Sequence, residues 1–462
     1  MLAGAYFYVK GYDIIIIKLS GGIFMNLHSI FEGKYFFGFF IIWINGILDI
    51  SRENVQISSV DYPKYFHEYI HFLQNISTTY CIRNTHYYLG HLASAFYLIQ
   101  KHENNNVSIP LNLENINKAE LSKDIIVYSE GDYDDYSYEE YNFISVTKIN
   151  SFKDEMDSEL FGENVSVIRN NYPIIINLEL KKDTKEEFKM FNFGACAIKE
   201  SMASLIEEEL FGRKRTKMIL QYDIVQLISK AMIGYELDKK ILIELCEVAL
   251  MYDNPAYMFM SYLYIIKKEN LKPLKFGDVL KFFEKRANKH YMIDYHRYMK
   301  STLQSLKNLF PIGFDDLFEY IYNIILTAYK FRKKEKSKLL ITRIVYEDKR
   351  KKEIYNKWIQ KNFQTPVLID SSGNVIYPKA KEYKNFMILL VYYAFYQFFI
   401  FGKTECPLQN ICKNLKIARD IRLCEKKPWE NELNIVNNNF CYYKYIWKCW
   451  NLDNYNFFNK NS

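Results

Sequence analysis

The string His67-Glu68-Tyr69-Ile70-His71 constrains this chain more than any other short segment in it. On a helix, histidines four residues apart share one face, a turn apart, close enough to hold one metal ion together. Glu68 between them is positioned to take a proton from water at such a metal and not to bind it. The flanking residues read as a helix. Asp61 fits an N-cap, and Pro63 falls in the first turn, where a missing N–H costs little. Phe66, Ile70, Leu73 and Ile76 recur at spacings of three and four. Neither Gly nor Pro occurs from 64 to 80, and the helix is expected to end near Ser77-Thr78-Thr79, with a second one from near Asn84. With 8 histidines in 462 residues, H-E-x-x-H arises by chance roughly 0.01 times per chain. The competing reading is a surface helix that carries two histidines and a glutamate.

A metal held this way needs a third ligand. Residues 194 to 211 (GACAIKESMASLIEEELF) also read as a helix, with Ile198, Met202, Leu205 and Ile206 on one side. Glu200 lies in the apolar first half beside Ala197, Ala203 and Ser204, where small residues let another helix approach. Glu207, two turns further along the same face, is a competing ligand. It sits with Glu208 and Glu209 in a charged end expected to be solvated.

The pattern E-x-x-A-x-x-x-E/A-x-x-L after H-E-x-x-H resembles the second helix of gluzincin-type metallopeptidases, including the ImmA/IrrE-like group. The resemblance covers these two helices only. The stretch from His71 to Glu200 is longer than the family shows, which implies a sizeable insertion. What the resemblance implies is a zinc ion, Zn2+, held by His67, His71 and Glu200 with one position open, and Glu68 as general base. It also implies a peptide or protein substrate and an antiparallel sheet just before the HEYIH helix. An edge strand of that sheet can pair with an extended substrate. Residues 36–44 and 47–57, with Asn45-Gly46 as a two-residue hairpin turn, fit that order.

The remaining pattern is α+β. Residues 84–101 predict a helix in which His86 and His91 are structural or exposed. Residues 124–129, 141–148, 164–168 and 173–180 predict strands. The loop EGDYDDYSYEEY (130–141) holds six carboxylates without calcium-loop spacing and reads as solvated. Helices are expected near 218–233, 238–251, 255–268, 276–288, 300–309, 314–331 and 385–401. The organisation predicted is an N-terminal extension (1–24), a zincin-like metal-binding domain (25–215) with a β-rich insertion at 102–190, a helical domain (216–400) and a Cys-rich C-terminal segment (401–462).

Hydrophobic content of 49% with 25% charged residues excludes a disordered chain. The 40 tyrosines, with abundant Lys, Asn and Ile, read as an AT-rich coding bias and not as a carbohydrate or nucleic-acid surface. Residues 1–24 lack a basic start before their apolar stretch, and Lys10, Asp13 and Lys18 interrupt it. A secretory signal is therefore disfavoured, a cytoplasmic protein is expected, and Met25 is an alternative start. Residues 386–401 are short for a membrane span and contain Gln397, so a buried helix is expected. Residues 330–361 carry 13 Lys/Arg against 4 Asp/Glu, a local excess of +9 in a chain of +7. They read as a solvated helical face, with an acidic partner as the alternative and no nucleic-acid motif.

Two further segments bear on chemistry. KHYMIDYHRY (289–298) offers His290, Tyr291, Tyr295 and His296 as hydrogen-bond donors to an oxyanion. The tail holds Cys406, Cys412, Cys424, Cys441 and Cys449 at spacings that match no standard zinc ribbon. A second metal site, zinc or iron–sulfur, and a set of buried thiols are both open. Cys81, Cys196 and Cys246 read as buried thiols, and without a signal peptide disulfides are disfavoured. The function expected is a zinc-dependent metallohydrolase, a peptidase. The alternatives are a regulatory or structural zinc protein, and a basic interaction module without metal.

Overall fold

A computed structural model describes residues 16–17, 33–45, 48–51, 54–57, 62–101, 105–111, 129–132, 135–149, 174–212, 215–271, 275, 277, 279, 290–310, 314–334, 339–345, 349–363, 366–370, 375–376, 386–409, 412, 421–431 and 441–459. The strands are β1 (Ile16–Ile17), β2 (Gly33–Phe36), β3 (Ile41–Ile44), β4 (Leu48–Ser51), β5 (Asn54–Ile57), β6 (Asn106–Ile109), β7 (Glu140–Tyr141), β8 (Phe143–Ile149), β9 (Ile174–Lys182), β10 (Lys185–Phe193), β11 (Met218–Ile219), β12 (Val367–Asp370), β13 (Val375–Ile376) and β14 (Asn456–Asn459). The helices are α1 (Tyr62–Ser77), α2 (Thr79–Gln100), α3 (Ala195–Phe211), α4 (Leu220–Ile233), α5 (Lys239–Ala249), α6 (Pro255–Lys268), α7 (His290–Leu309), α8 (Asp315–Lys334), α9 (Lys349–Phe363), α10 (Met387–Phe401), α11 (Ile421–Lys426) and α12 (Tyr442–Cys449). The chain is α+β.

The HEYIH helix, α1, lies at the centre of this arrangement. Fourteen of its sixteen residues are buried, so it is enclosed on all sides and is no surface helix. It packs against β2 and β3, and against α2, α3 and α8. Asp61 lies outside the described residues. At the far end the Thr78 hydroxyl caps α2 by accepting from Cys81 N–H. The second helix therefore starts at Thr79 and not near Asn84, because the Ser-Thr-Thr run holds an N-cap as well as a stop. The Tyr295 hydroxyl donates to Ile76 O and the Thr302 hydroxyl to Ile82 O, which fastens α7 across the joint.

The expected hairpin across Asn45-Gly46 does not form. The chain reverses instead at 37–40, where Gly38 (φ +81°) and Phe40 (φ +56°) take left-handed backbone and bring β2 antiparallel to β3. β4 pairs with β5 in a separate sheet, and Gly46 lies outside the described residues. The sheet before α1 is also mixed, not antiparallel throughout. β12, from far along the chain, joins β3 in parallel, giving the order β1-β13-β12-β3-β2 with β2 at the edge among the described residues. β1 falls within the predicted N-terminal extension and pairs with β13. β8, β9 and the unanticipated β10 form an antiparallel three-stranded sheet leading into α3. Of the strand expected at 124–129 only Ser129 is described, and it is helical; the strand expected at 164–168 and nearly all of the helix expected at 276–288 lie outside the described residues.

The basic stretch is not wholly a solvated face. Lys330, Lys333 and Lys334 are exposed, but Arg332 is fully buried and pairs with buried Glu247 at 3.2 Å. Glu247 also accepts from the backbone N–H groups of Leu340, Ile341 and Thr342 and from the Thr342 hydroxyl. Buried charges persist only when paired and bonded this fully. The apolar run 386–401 forms α10, with eleven of its fifteen residues buried. Among the described residues no helix is long and apolar enough to cross a membrane.

Candidate metal centre

The site forms where α3 lies along α1. The first half of α3 is narrow there, with Ala195, Ala197, Ser201, Ala203 and Ser204 all buried. Across this seam His67 Nε2 stands 3.1 Å and His71 Nε2 3.3 Å from one oxygen, Glu200 Oε2. One donor atom from each of the three lies within 4.8 Å of the others. Among the described residues they are the one group of three or more His, Cys, Asp or Glu so gathered.

Gln74 orients His71. Its Nε2 donates to Lys199 O at 3.1 Å, which leaves its Oε1 to accept from His71 Nδ1 at 2.8 Å. Nδ1 is thus the nitrogen that donates to Gln74, and Nε2 is turned toward Glu200. That nitrogen is buried and stands 3.3 Å from the carboxylate. Two imidazole nitrogens and a carboxylate that face one point in a buried site need a positive charge between them, a proton or a metal ion. Two imidazole nitrogens and one carboxylate are a donor set suited to zinc.

Glu207 occupies a different place from the one expected. Its Oε2 lies 3.5 Å from His67 Nδ1, on the side of the ring away from Glu200, and its side chain is only 19% exposed. The solvated charged end is corrected in the same way at Glu208, which pairs with Arg215 and Lys239. A carboxylate on the second nitrogen of a histidine fixes the ring's tautomer and direction.

The electrostatics follow from this packing. Burial pulls the His67 pKa down, but hydrogen bonds to Glu200 and Glu207 outweigh it and push it up to about 10. Burial raises Glu200, but His71 and His67 outweigh that and hold it well below the usual carboxylate range. Glu68 behaves oppositely: burial raises its pKa, and His71 and His67 offset only part of the rise. Its carboxylate accepts the Tyr35 N–H of edge strand β2. Gly33 leaves it room, since a Cβ there would come within 2.8 Å of Glu68 Cγ.

Beneath the ligands is an ion pair with no separate signal in the sequence. Lys199 Nζ lies 2.8 Å from Glu130 Oε2, with side chains 6% and 12% exposed. Asn84 also donates to Glu130, and the Phe37 ring covers the ammonium at 4.1 Å. The acidic loop is therefore not simply solvated. Glu130 turns inward, and Asp132 accepts from the backbone and side chain of Asn192. Gly131 and Gly194 permit the close backbone contact between the two segments, since a Cβ at either would lie under 2.5 Å from backbone of the other segment. Lys199→Met leaves Glu130 buried without its cation and is expected to cost about 3–5 kcal/mol. Urea unfolding of the metal-free protein measures this, and a loss no larger than for an exposed lysine would refute it.

Of the segment 289–298, Tyr295 and His296 do not reach the centre. Tyr295 is buried against α1 as described, and His296 stacks on Tyr329 at 5.2 Å. The side chains of His290 and Tyr291 lie outside the described residues. Two other tyrosines flank the ligands. The Tyr222 ring lies 5.4 Å from the His67 ring, and the Tyr138 ring 6.3 Å from that of Tyr222. Burial raises the pKa of both phenols well above the usual range, and the negative charge of Glu200 adds to it. Sequence reading missed them because 40 tyrosines dilute any one. His86 and His91 on α2 take no part in the group. No family model, no curated protein and no solved structure matches the chain.

Proposed function

We propose that the chain is a zinc-dependent hydrolase acting on peptide bonds, a peptidase of gluzincin type with a zincin-like core. The observation that carries the reading is the convergence of His67, His71 and Glu200 on one point, with Glu68 buried alongside and outside the ligand group. Three protein donors leave a coordination position open, as catalytic zinc sites do, whereas structural sites close it with a fourth. The reading of a purely structural zinc required such a donor, and no described cysteine joins this group. The edge position of β2 beside Glu68 offers an extended peptide a strand to pair with.

When bound, zinc supplies Lewis-acid polarisation of the substrate carbonyl and acidifies water. Glu68, its pKa raised by burial, takes the proton of the attacking water and passes it to the leaving amine. Gly33 and the Tyr35 N–H keep its carboxylate in place. Tyr222 is the phenol best located to donate to the oxyanion as it develops. Glu207 and Gln74 hold the imidazoles in register. Chelation of the purified protein is expected to abolish hydrolysis of a mixed fluorogenic peptide library, and restoring one equivalent of zinc to recover it. Hydrolysis that survives complete zinc removal would overturn the proposal.

A further inference from the structure

Tyr222 has a charged neighbour that takes no part in the chemistry described so far. Arg215 lies in the loop between α3 and β11, and its guanidinium carbon sits over the Tyr222 ring, 4.7 Å from the ring centre. A cation at that distance is attracted by the face of the ring, and a planar guanidinium is the side chain best suited to stack there. Three groups fix the guanidinium in turn. Nη1 donates to the Ser204 hydroxyl at 2.8 Å, and Nη2 lies 3.3 Å from Asp223 Oδ1 and 3.5 Å from Glu208 Oε1. The side chains of Asp223 and Glu208 are only 15% and 16% exposed, so water and salt screen these pairs less than they screen a surface pair. Ser204 stands one turn beyond Glu200 on α3, and Asp223 adjoins Tyr222 on α4. Arg215 thereby ties the phenol to the helix that carries Glu200.

The phenol has few other restraints. Its hydroxyl makes no hydrogen bond to any described residue, so contacts of the ring set its place. The His67 ring at 5.4 Å and the Tyr138 ring at 6.3 Å meet it in T-shaped contacts, and Arg215 is the one cation over it among the described residues. An uncommitted hydroxyl is what a donor to a developing oxyanion requires. A phenol held by its ring alone is aimed only as well as the groups around that ring are fixed.

We infer that Arg215 is a positioning residue for the proposed hydrolysis: it holds the Tyr222 hydroxyl where the oxyanion develops. The inference rests on the reading of Tyr222 as the oxyanion donor. The effect of Arg215 passes through the phenol, so it belongs to the transition state and not to binding of the substrate. The competing role is a clamp between α3 and α4 with no part in the chemistry.

The test uses the zinc-loaded full chain and the best peptide found for it. Arg215→Met removes the charge and the planar stack, and it leaves Glu208 with Lys239 and Asp223 with the Ile219 N–H. It is expected to lower kcat about tenfold with KM little changed. In a chain that already carries Tyr222→Phe, the same change is expected to lower kcat no further, since no hydroxyl is left to aim. A crystal structure of the Arg215→Met chain should show the Tyr222 ring displaced while Ser204 and Asp223 stay in place. Arg215→Lys, which keeps the charge and loses the planar stack, repeats each arm if the methionine variant does not fold. An equal loss with and without the Tyr222 hydroxyl, or a Tyr222 ring that keeps its place, would make Arg215 a clamp and overturn the inference. A parent chain without zinc-dependent hydrolysis would instead refute the hydrolase reading, and the structure of the variant would still decide whether Arg215 places the ring.

Discussion

Glu68→Gln is expected to leave zinc content unchanged and to lower kcat/KM for peptide hydrolysis by about 10²–10⁴-fold. Glutamine has the same shape, so the space left by Gly33 still accommodates it. Its amide oxygen can still accept the Tyr35 N–H. What it cannot do is take a proton from water. Because Glu68 lies outside the group formed by His67, His71 and Glu200, metal affinity does not depend on it. The measurement pairs zinc analysis with kinetics on the best peptide found for the parent chain. Equal zinc with unchanged kcat/KM would remove Glu68 from the mechanism.

The second large effect separates Glu200 from Glu207, which lie on one helix and both touch His67. Glu200→Ala removes the carboxylate that both Nε2 atoms face and leaves two donors. Zinc content is expected to fall to background, as with His67→Ala and His71→Ala together. Glu207→Ala removes only the partner on His67 Nδ1. Loss of such a supporting contact weakens metal binding by about 10–100-fold. Competition against a chromophoric chelator resolves the two. A larger loss for Glu207→Ala than for Glu200→Ala would mean that the helix presents the other carboxylate to the metal.

The sequence by itself determined the HEYIH helix and the face on which His67, Glu68 and His71 stand. These depend on contacts three and four residues apart, which periodicity, Pro63 and the absence of Gly record directly. It also singled out Glu200, because small residues around a carboxylate are a local pattern. Only the tertiary structure decided how the two helices register across 133 residues, and hence that Glu207 faces the other side of His67. Strand pairing was equally hidden. The Asn45-Gly46 signal gave way to a turn at Gly38, because β3 is held by β12 as well as β2. Nothing local announces that Lys199 and Glu130 are buried together. Burial and ion pairing are properties of what packs around a residue, and that surrounding comes from distant parts of the chain.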